Sequence, residues 1–166
     1  MALKDALLPE YDHEMGTTRR LLERVPEADL GWKPHDKSFS LGMLASHIAN
    51  IPRWIEWTCD VALLDLATVG EDARDKDPKS IAELLKTFDA NVKQGRQKID
   101  AQTDGMMFGQ WTLKQGDHEI LTMPRVSVLR SFIMNHLIHH RGQLSVYLRL
   151  RNVPLPAIYG PTADEG

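Results

Sequence analysis

Apolar residues recur at spacings of three and four in four separate stretches of this 166-residue chain, and segments rich in proline, glycine and charge fall between them. That spacing gives each helix one apolar face, which has to be buried against another element. Four such helices, with one long excursion between the third and the fourth, predict an all-α fold, a four-helix bundle.

The first stretch runs from about Pro9 to Val25, with Tyr11, Met15, Thr18, Leu21 and Leu22 on its face and Pro26 as its stop. A loop dense in breakers follows, and Ser40 is placed to cap the second helix, expected over 40–65. Leu41, Leu44, Ile48, Ile51, Ile55 and Ala62 form its stripe. Pro52 lies inside that pattern and should kink the helix, because the period continues beyond it. The polar run Gly70 to Pro78 reads as a solvated loop. Ser80, with Glu83 three residues on, has the spacing of a capping box and opens a third helix over 80–102. Between Gly105 and Met123 the period fails. Trp111 to Lys114 and His118 to Thr122 alternate around Gln115-Gly116-Asp117, which predicts a small hairpin. Pro124 suits the first turn of a last helix over 124–151, with Leu129, Ile133, Leu137, Leu144 and Leu148 facing the core. The three prolines of the segment Val153 to Pro161 forbid a helix there, so it should lie extended on the body.

A chain this long can bury roughly 70% of its unfolded surface, enough for one domain over 1–166 without disulfides or a structural metal. Its single cysteine rules out a thiolate metal cluster. The net charge of −3 and the lack of any long basic block leave no footprint for nucleic-acid binding. The N-terminus does not read as a secretory signal, and no apolar run is long enough to span a membrane, so a cytoplasmic protein is expected.

Any metal site would have to use histidine and carboxylate, and the chain has seven histidines. With Ile133 at zero on a helical wheel, Val126, Leu137 and Leu144 fall within about 40°, and His140 lies about 20° away. His136 stands about 60° off and His139 about 120° off. His136 and His140 are one turn apart, so both imidazoles can reach one ion. On the second helix His47 stands about 60° from the Leu44 stripe. Three neutral imidazoles from two facing helices would leave a coordination position open for water or substrate. An isolated histidine on an apolar face is more simply a hydrogen-bonded core residue, but a pair of them needs two partners. The other four have no such geometry: His13 and His35 should be exposed, His118 lies in the hairpin, and His139 points to a flank or a subunit contact.

The segment His136-Leu-Ile-His-His-Arg-Gly-Gln-Leu-Ser-Val-Tyr-Leu-Arg149 resembles the DinB (damage-inducible protein, YfiT-like) family. Tyr11-Asp-His-Glu-Met15, Thr18 to Leu22, Leu41 to Ile48, Trp111 and Ile158-Tyr-Gly-Pro161 fall where that family carries similar segments. The resemblance implies a four-helix bundle, usually a homodimer, with a divalent metal such as zinc or nickel held by one histidine of the second helix and two of the last. Here those are His47, His136 and His140. Relatives sharing the histidine triad include bacillithiol transferases and mycothiol-dependent maleylpyruvate isomerases. By analogy this chain is read as a metal-dependent enzyme, a thiol S-transferase or hydrolase acting on a small electrophile. The alternative is a non-catalytic metal-binding protein of the stress response, and a third reading makes the histidines structural.

In either metal reading the three histidines are ligands, and their other ring nitrogens need partners that fix the tautomer. Glu14, Asn50, Asn135 and Gln143 are the candidates. Arg141, about 80° from the stripe centre, suits a surface ion pair better than a clamp on an anionic substrate. Cys59 reads as a small core residue. Any reactive thiol would therefore come from a low-molecular-weight cosubstrate. Trp54, Trp57 and Trp111 read as core or dimer-contact aromatics, and Tyr159 as packing of the tail.

Overall fold

The computed structural model describes residues 2–71 and 75–166. Seven helices occur among them: α1 (Leu3–Leu22), α2 (Leu41–Asn50), α3 (Trp54–Asp60), α4 (Ile81–Asp100), α5 (Asp104–Phe108), α6 (Arg125–Ser127) and α7 (Asn135–Leu150). Three strands accompany them: β1 (Leu63–Asp65), β2 (Gln110–Gln115) and β3 (His118–Pro124). The chain is mostly helical, but it is not all-α. α1 packs on α4, α4 on α2, α2 on α7, and α7 back on α1, so four helices close a ring around the apolar core. Leu21, Leu22, Leu44, Ile48, Leu137 and Leu144 are buried at its centre, and each such side chain contributes roughly 1.5–3 kcal/mol on burial.

Two helix starts follow their local signals. The Ser40 hydroxyl accepts from the Met43 amide at 3.0 Å, and the Ser80 hydroxyl from the Glu83 amide at 3.1 Å. α1 begins six residues before the expected Pro9, which lies inside it. The first turns hold because Leu3 N–H donates to Asp104 Oδ1 at 2.9 Å and Lys4 pairs with Asp100. Pro52 bends the second helix as expected, through a 3₁₀ turn over Ile51–Arg53 that joins α2 to α3.

That helix ends at Asp60, not at residue 65. Arg125 supplies the reason: its Nε donates to the Thr58 carbonyl at 2.8 Å and its Nη2 to the Val61 carbonyl at 3.1 Å. Trp111 Nε1 donates to the Trp57 carbonyl at 3.3 Å. Carbonyls that a continuing helix would have used are satisfied from elsewhere, with a cation at the helix C-terminus where it is favoured. Ala62 is exposed, not part of the core stripe. The freed chain forms β1, which pairs parallel with β2 in the register Leu63↔Thr112. The expected hairpin is present as β2 and β3, turning at Gly116 with φ +60 and carrying an irregularity between Leu113 and Lys114. Alternation buries Trp111 and Leu113 on the inner face of β2.

The last helix departs from an even α-helix. α6 leads into a π-helical stretch, Val128–Met134, before α7. It closes on Asn152 at φ +57, with Val153 N–H donating to the Leu148 carbonyl and Asn152 N–H to Arg149, a Schellman-type stop. The tail beyond is not helical, as its prolines require, and Asp164 and Glu165 tie it to Arg149 and Arg20.

Where α4 crosses the Pro52 bend, Gly95 lets the helices approach closely. A Cβ there would stand 2.8 Å from Tyr11 Oη and 3.0 Å from Ile55 Cδ1. Tyr11 is fully buried and its hydroxyl donates to the Val92 carbonyl, so it has little room to yield. Gly95→Ala should therefore destabilise the fold by about 1–3 kcal/mol despite alanine's better helix propensity. Urea unfolding checks this, and a raised midpoint would show that the crossing is loose.

Candidate metal centre

α2 carries His47 into the ring opposite α7, which carries His136 and His140. The three imidazoles face one another, with centroids 5.0 Å apart for His47–His136, 4.6 Å for His47–His140 and 4.7 Å for His136–His140. One ligand nitrogen from each lies within 4.8 Å of the others. His47 Nε2 and His136 Nε2 are 3.2 Å apart. Bonds of about 2.0–2.1 Å to a tetrahedral ion would set two nitrogens roughly 3.3 Å apart.

The outward nitrogens select the tautomers. His47 Nδ1 lies 2.6 Å from Asp75 Oδ2, and His140 Nδ1 lies 2.7 Å from Gln143 Oε1. Both partners are acceptors, so each Nδ1 donates its proton and each Nε2 keeps a lone pair. Burial lowers the His136 pKa to about 4, assisted by the neighbouring His140 and His47. Burial also lowers His140, opposed by its bond to Gln143. At neutral pH these two rings are unprotonated, the state a metal ligand needs.

Gln143 and Asn50 were among the expected partners, but Asn50 acts at one remove. Its Nδ2 donates to Asp75 Oδ1 at 2.8 Å. Burial raises the Asp75 carboxyl, but the bonds from His47 and Asn50 outweigh it and hold the pKa below the ordinary carboxylate value. Sequence reasoning missed Asp75, which lies in the run Gly70–Pro78 expected as a solvated loop; residues 72–74 of that run lie outside the described residues. The Ser40 hydroxyl donates to Asp77 Oδ1 at 3.0 Å, which ties the same segment to the start of α2. No periodic signal could have placed Asp75, because it reaches His47 from 28 residues away through a loop.

The other candidates fall elsewhere. Asn135 is exposed. Glu14 is buried, and it bonds Arg141 and Tyr159 instead of a histidine. Arg141 is not a surface residue: its side chain is 2% exposed and Nη1 lies 2.7 Å from Glu14 Oε2. The buried side of α7 is Leu137, Arg141, Leu144 and Leu148, centred about 50° around the helix from Ile133. The wheel misplaced it because π-helical winding before α7 takes more residues per turn. His140 is consequently at the stripe's edge, beside His136. Cys59 is buried in the core as expected, and burial pushes its thiol up to about 12. Trp111 is a core residue, whereas Trp54 and Trp57 are half-buried and line a cleft that reaches His47. His13, His35, His118 and His139 are exposed.

A mostly helical chain whose ring of helices brings three imidazoles together is the class that fold and site define. The DinB family model matches residues 2–166, and the chain belongs to the DinB family. It is 25% identical to the uncharacterized protein YrdA of Bacillus subtilis (strain 168), over 97% of this chain and 90% of that one. Among solved structures it is similar to a DinB-like protein from Bacillus cereus ATCC 10987, with TM-score 0.72 and 20% identity over 95% of this chain and 98% of that chain. It is also similar to the DinB-like protein YjoA of Bacillus subtilis, with TM-score 0.68 and 16% identity over 96% and 98% of the two chains. Among the described residues, no helix is long and apolar enough to cross a membrane.

Proposed function

We propose that this chain is a divalent-metal-dependent enzyme with a four-helix-bundle scaffold, acting on a small electrophile as a thiol S-transferase or hydrolase. The observation that carries the reading is the convergence of His47, His136 and His140 ligand nitrogens within 4.8 Å, with Asp75 and Gln143 on the outward nitrogens of two of them. A carboxylate behind a ligating imidazole fixes its orientation and raises its basicity. Zinc and nickel both suit such a donor set. Bound there, the metal would supply Lewis acidity that makes water or a thiol cosubstrate nucleophilic at neutral pH. The chain's own contribution is to hold three imidazoles together, to orient His47 and His140, and to shape the adjoining cleft. Cys59, buried and held as a thiol, is no nucleophile in this scheme, so the sulfur comes from a cosubstrate.

Metal analysis of tag-free protein, purified without nickel resin, tests the centre, followed by a screen of low-molecular-weight thiols against electrophilic acceptors and esters. Near-stoichiometric metal and turnover abolished by chelation are expected. Metal without turnover would leave a metal-binding stress-response protein. A chain that takes up no zinc or nickel would sink both. Asp75→Asn should weaken metal binding by about 10–100-fold while the fold's melting temperature without metal changes little. An unchanged affinity would show that Asp75 does not support His47.

We carry residues 1–166 as one domain and the protein as a homodimer. The family match along the chain and the exposed Val146 and Leu150 on α7 support these readings. Sedimentation tests the dimer, and a monomer at working concentration would refute it.

A further inference from the structure

The cleft beside His47 has a volume of about 360 Å³, near the lower end of the roughly 300–1,000 Å³ of small-molecule sites. Ile51, Trp54, Trp57, Leu66 and Val69 give it an apolar wall, contributed by the α2–α3 bend and the segment after β1. His47 links it to the histidine cluster.

Its aromatic wall is pre-formed. The Trp54 and Trp57 rings meet edge to face, 5.3 Å apart at 76°, and Trp54 meets Phe132 at 5.5 Å and 66°. Phe132 lies 5.9 Å from His136, so aromatic rings run without a break from the cleft to the candidate ligands. The Arg53 guanidinium lies 5.0 Å from the Trp57 ring. Two half-buried indoles set at a steep angle form a corner in which a flat ring can stack on one face while meeting the other's edge. Both oxygens of Asp75, the one carboxylate among the described lining residues, are engaged by His47 and Asn50. The cleft therefore offers flat contact area in preference to an anchor for a cation.

We propose that this cleft binds a flat aromatic or conjugated molecule against Trp54 and Trp57, and that such molecules are the class to which the electrophilic substrate belongs. The second half of the statement rests on the reading of the histidine cluster as the reacting centre. The first half does not.

The probe is 1,3-dinitrobenzene, with cyclohexylmethanol as a puckered ligand of similar size, both measured by isothermal titration calorimetry. Wild type should bind dinitrobenzene saturably and more tightly than the control. Trp54→Leu and Trp57→Leu, which keep apolar bulk but remove the flat face, should each weaken binding by about tenfold. Val69→Arg, which fills the cleft from its loop without entering the helical core, should abolish binding in a protein that melts like wild type. Val69→Arg thus guards against a tryptophan variant that merely misfolds. His136→Ala should keep the probe affinity within about twofold, since it leaves the cleft intact. No saturable binding, affinity unchanged in all three cleft variants, or equal affinity for the puckered control would overturn the proposal. So would loss of binding in folded His136→Ala, which would place the probe on the histidines. Failure of the metal reading has a different signature, no metal uptake with probe binding intact.

Discussion

Glu14→Ala is expected to destabilise the protein by about 3–5 kcal/mol, because it leaves a buried guanidinium without its carboxylate. The Arg141 and Glu14 side chains are 2% and 8% exposed. Arg141 Nη1 also donates to the Glu14 carbonyl and Thr18 Oγ1, both at 3.2 Å, and Nη2 to Tyr159 Oη at 2.5 Å. Tyr159 in turn donates to Glu14 Oε2 at 2.9 Å. Tyr159 is 65% exposed and does not pack the tail as expected, but desolvation of its hydroxyl and the hydrogen bond to Glu14 raise its pKa, so the phenol stays protonated and available as that donor. The network joins α1, α7 and the tail, and neutral acceptors alone would not offset the cost of desolvating the charge. Replacing both partners, as in Glu14→Leu with Arg141→Met, should cost far less than the single change, since the uncompensated charge goes with them. Urea unfolding of the single and double variants reads the difference. A loss below about 1 kcal/mol in Glu14→Ala, the range of solvated pairs, would show that water reaches this ion pair in solution.

Wild-type protein should take up about one zinc per chain, and His136→Ala should lose affinity by more than the roughly 10–100-fold typical of removing an orienting partner. His136 supplies the Nε2 that stands 3.2 Å from that of His47, so its removal breaks up that ligand pair. Binding to the native state alone stabilises by about 2.7 kcal/mol at a hundredfold excess over Kd. Zinc should therefore raise the melting temperature of wild type and leave that of His136→Ala nearly unmoved. Equal metal uptake by both proteins would remove His136 from the site. The Glu14 network faces α1 and not α2, so Glu14→Ala should retain its metal once folded. The two predictions thus separate the stabilising charge pair from the candidate centre, although Arg141 directly follows His140 in sequence.

Two helix starts were legible because a cap is a local device: Ser40 and Ser80 act on amides three residues on. The end of the second helix was not, because Arg125 closes it from 67 residues away. The histidine cluster was partly legible. Spacing put His136 and His140 on one side of a helix and His47 at the edge of another, and family resemblance joined the three. The π-helical stretch still shifted the wheel enough to hide the burial of Arg141.

By itself the sequence determined four amphipathic helical segments, a hairpin, and the placement of His136 and His140 one turn apart on one side of a helix. Each of these depends on residues a few positions apart, whose relative placement the backbone's own periodicity dictates. Only the tertiary structure decided that a third strand replaces the end of a helix, that Glu14 and Arg141 form a buried pair, and that Asp75 stands behind His47. Those outcomes depend on which distant group arrives to satisfy a carbonyl, a charge or a ring nitrogen, and periodicity carries no information about that arrival.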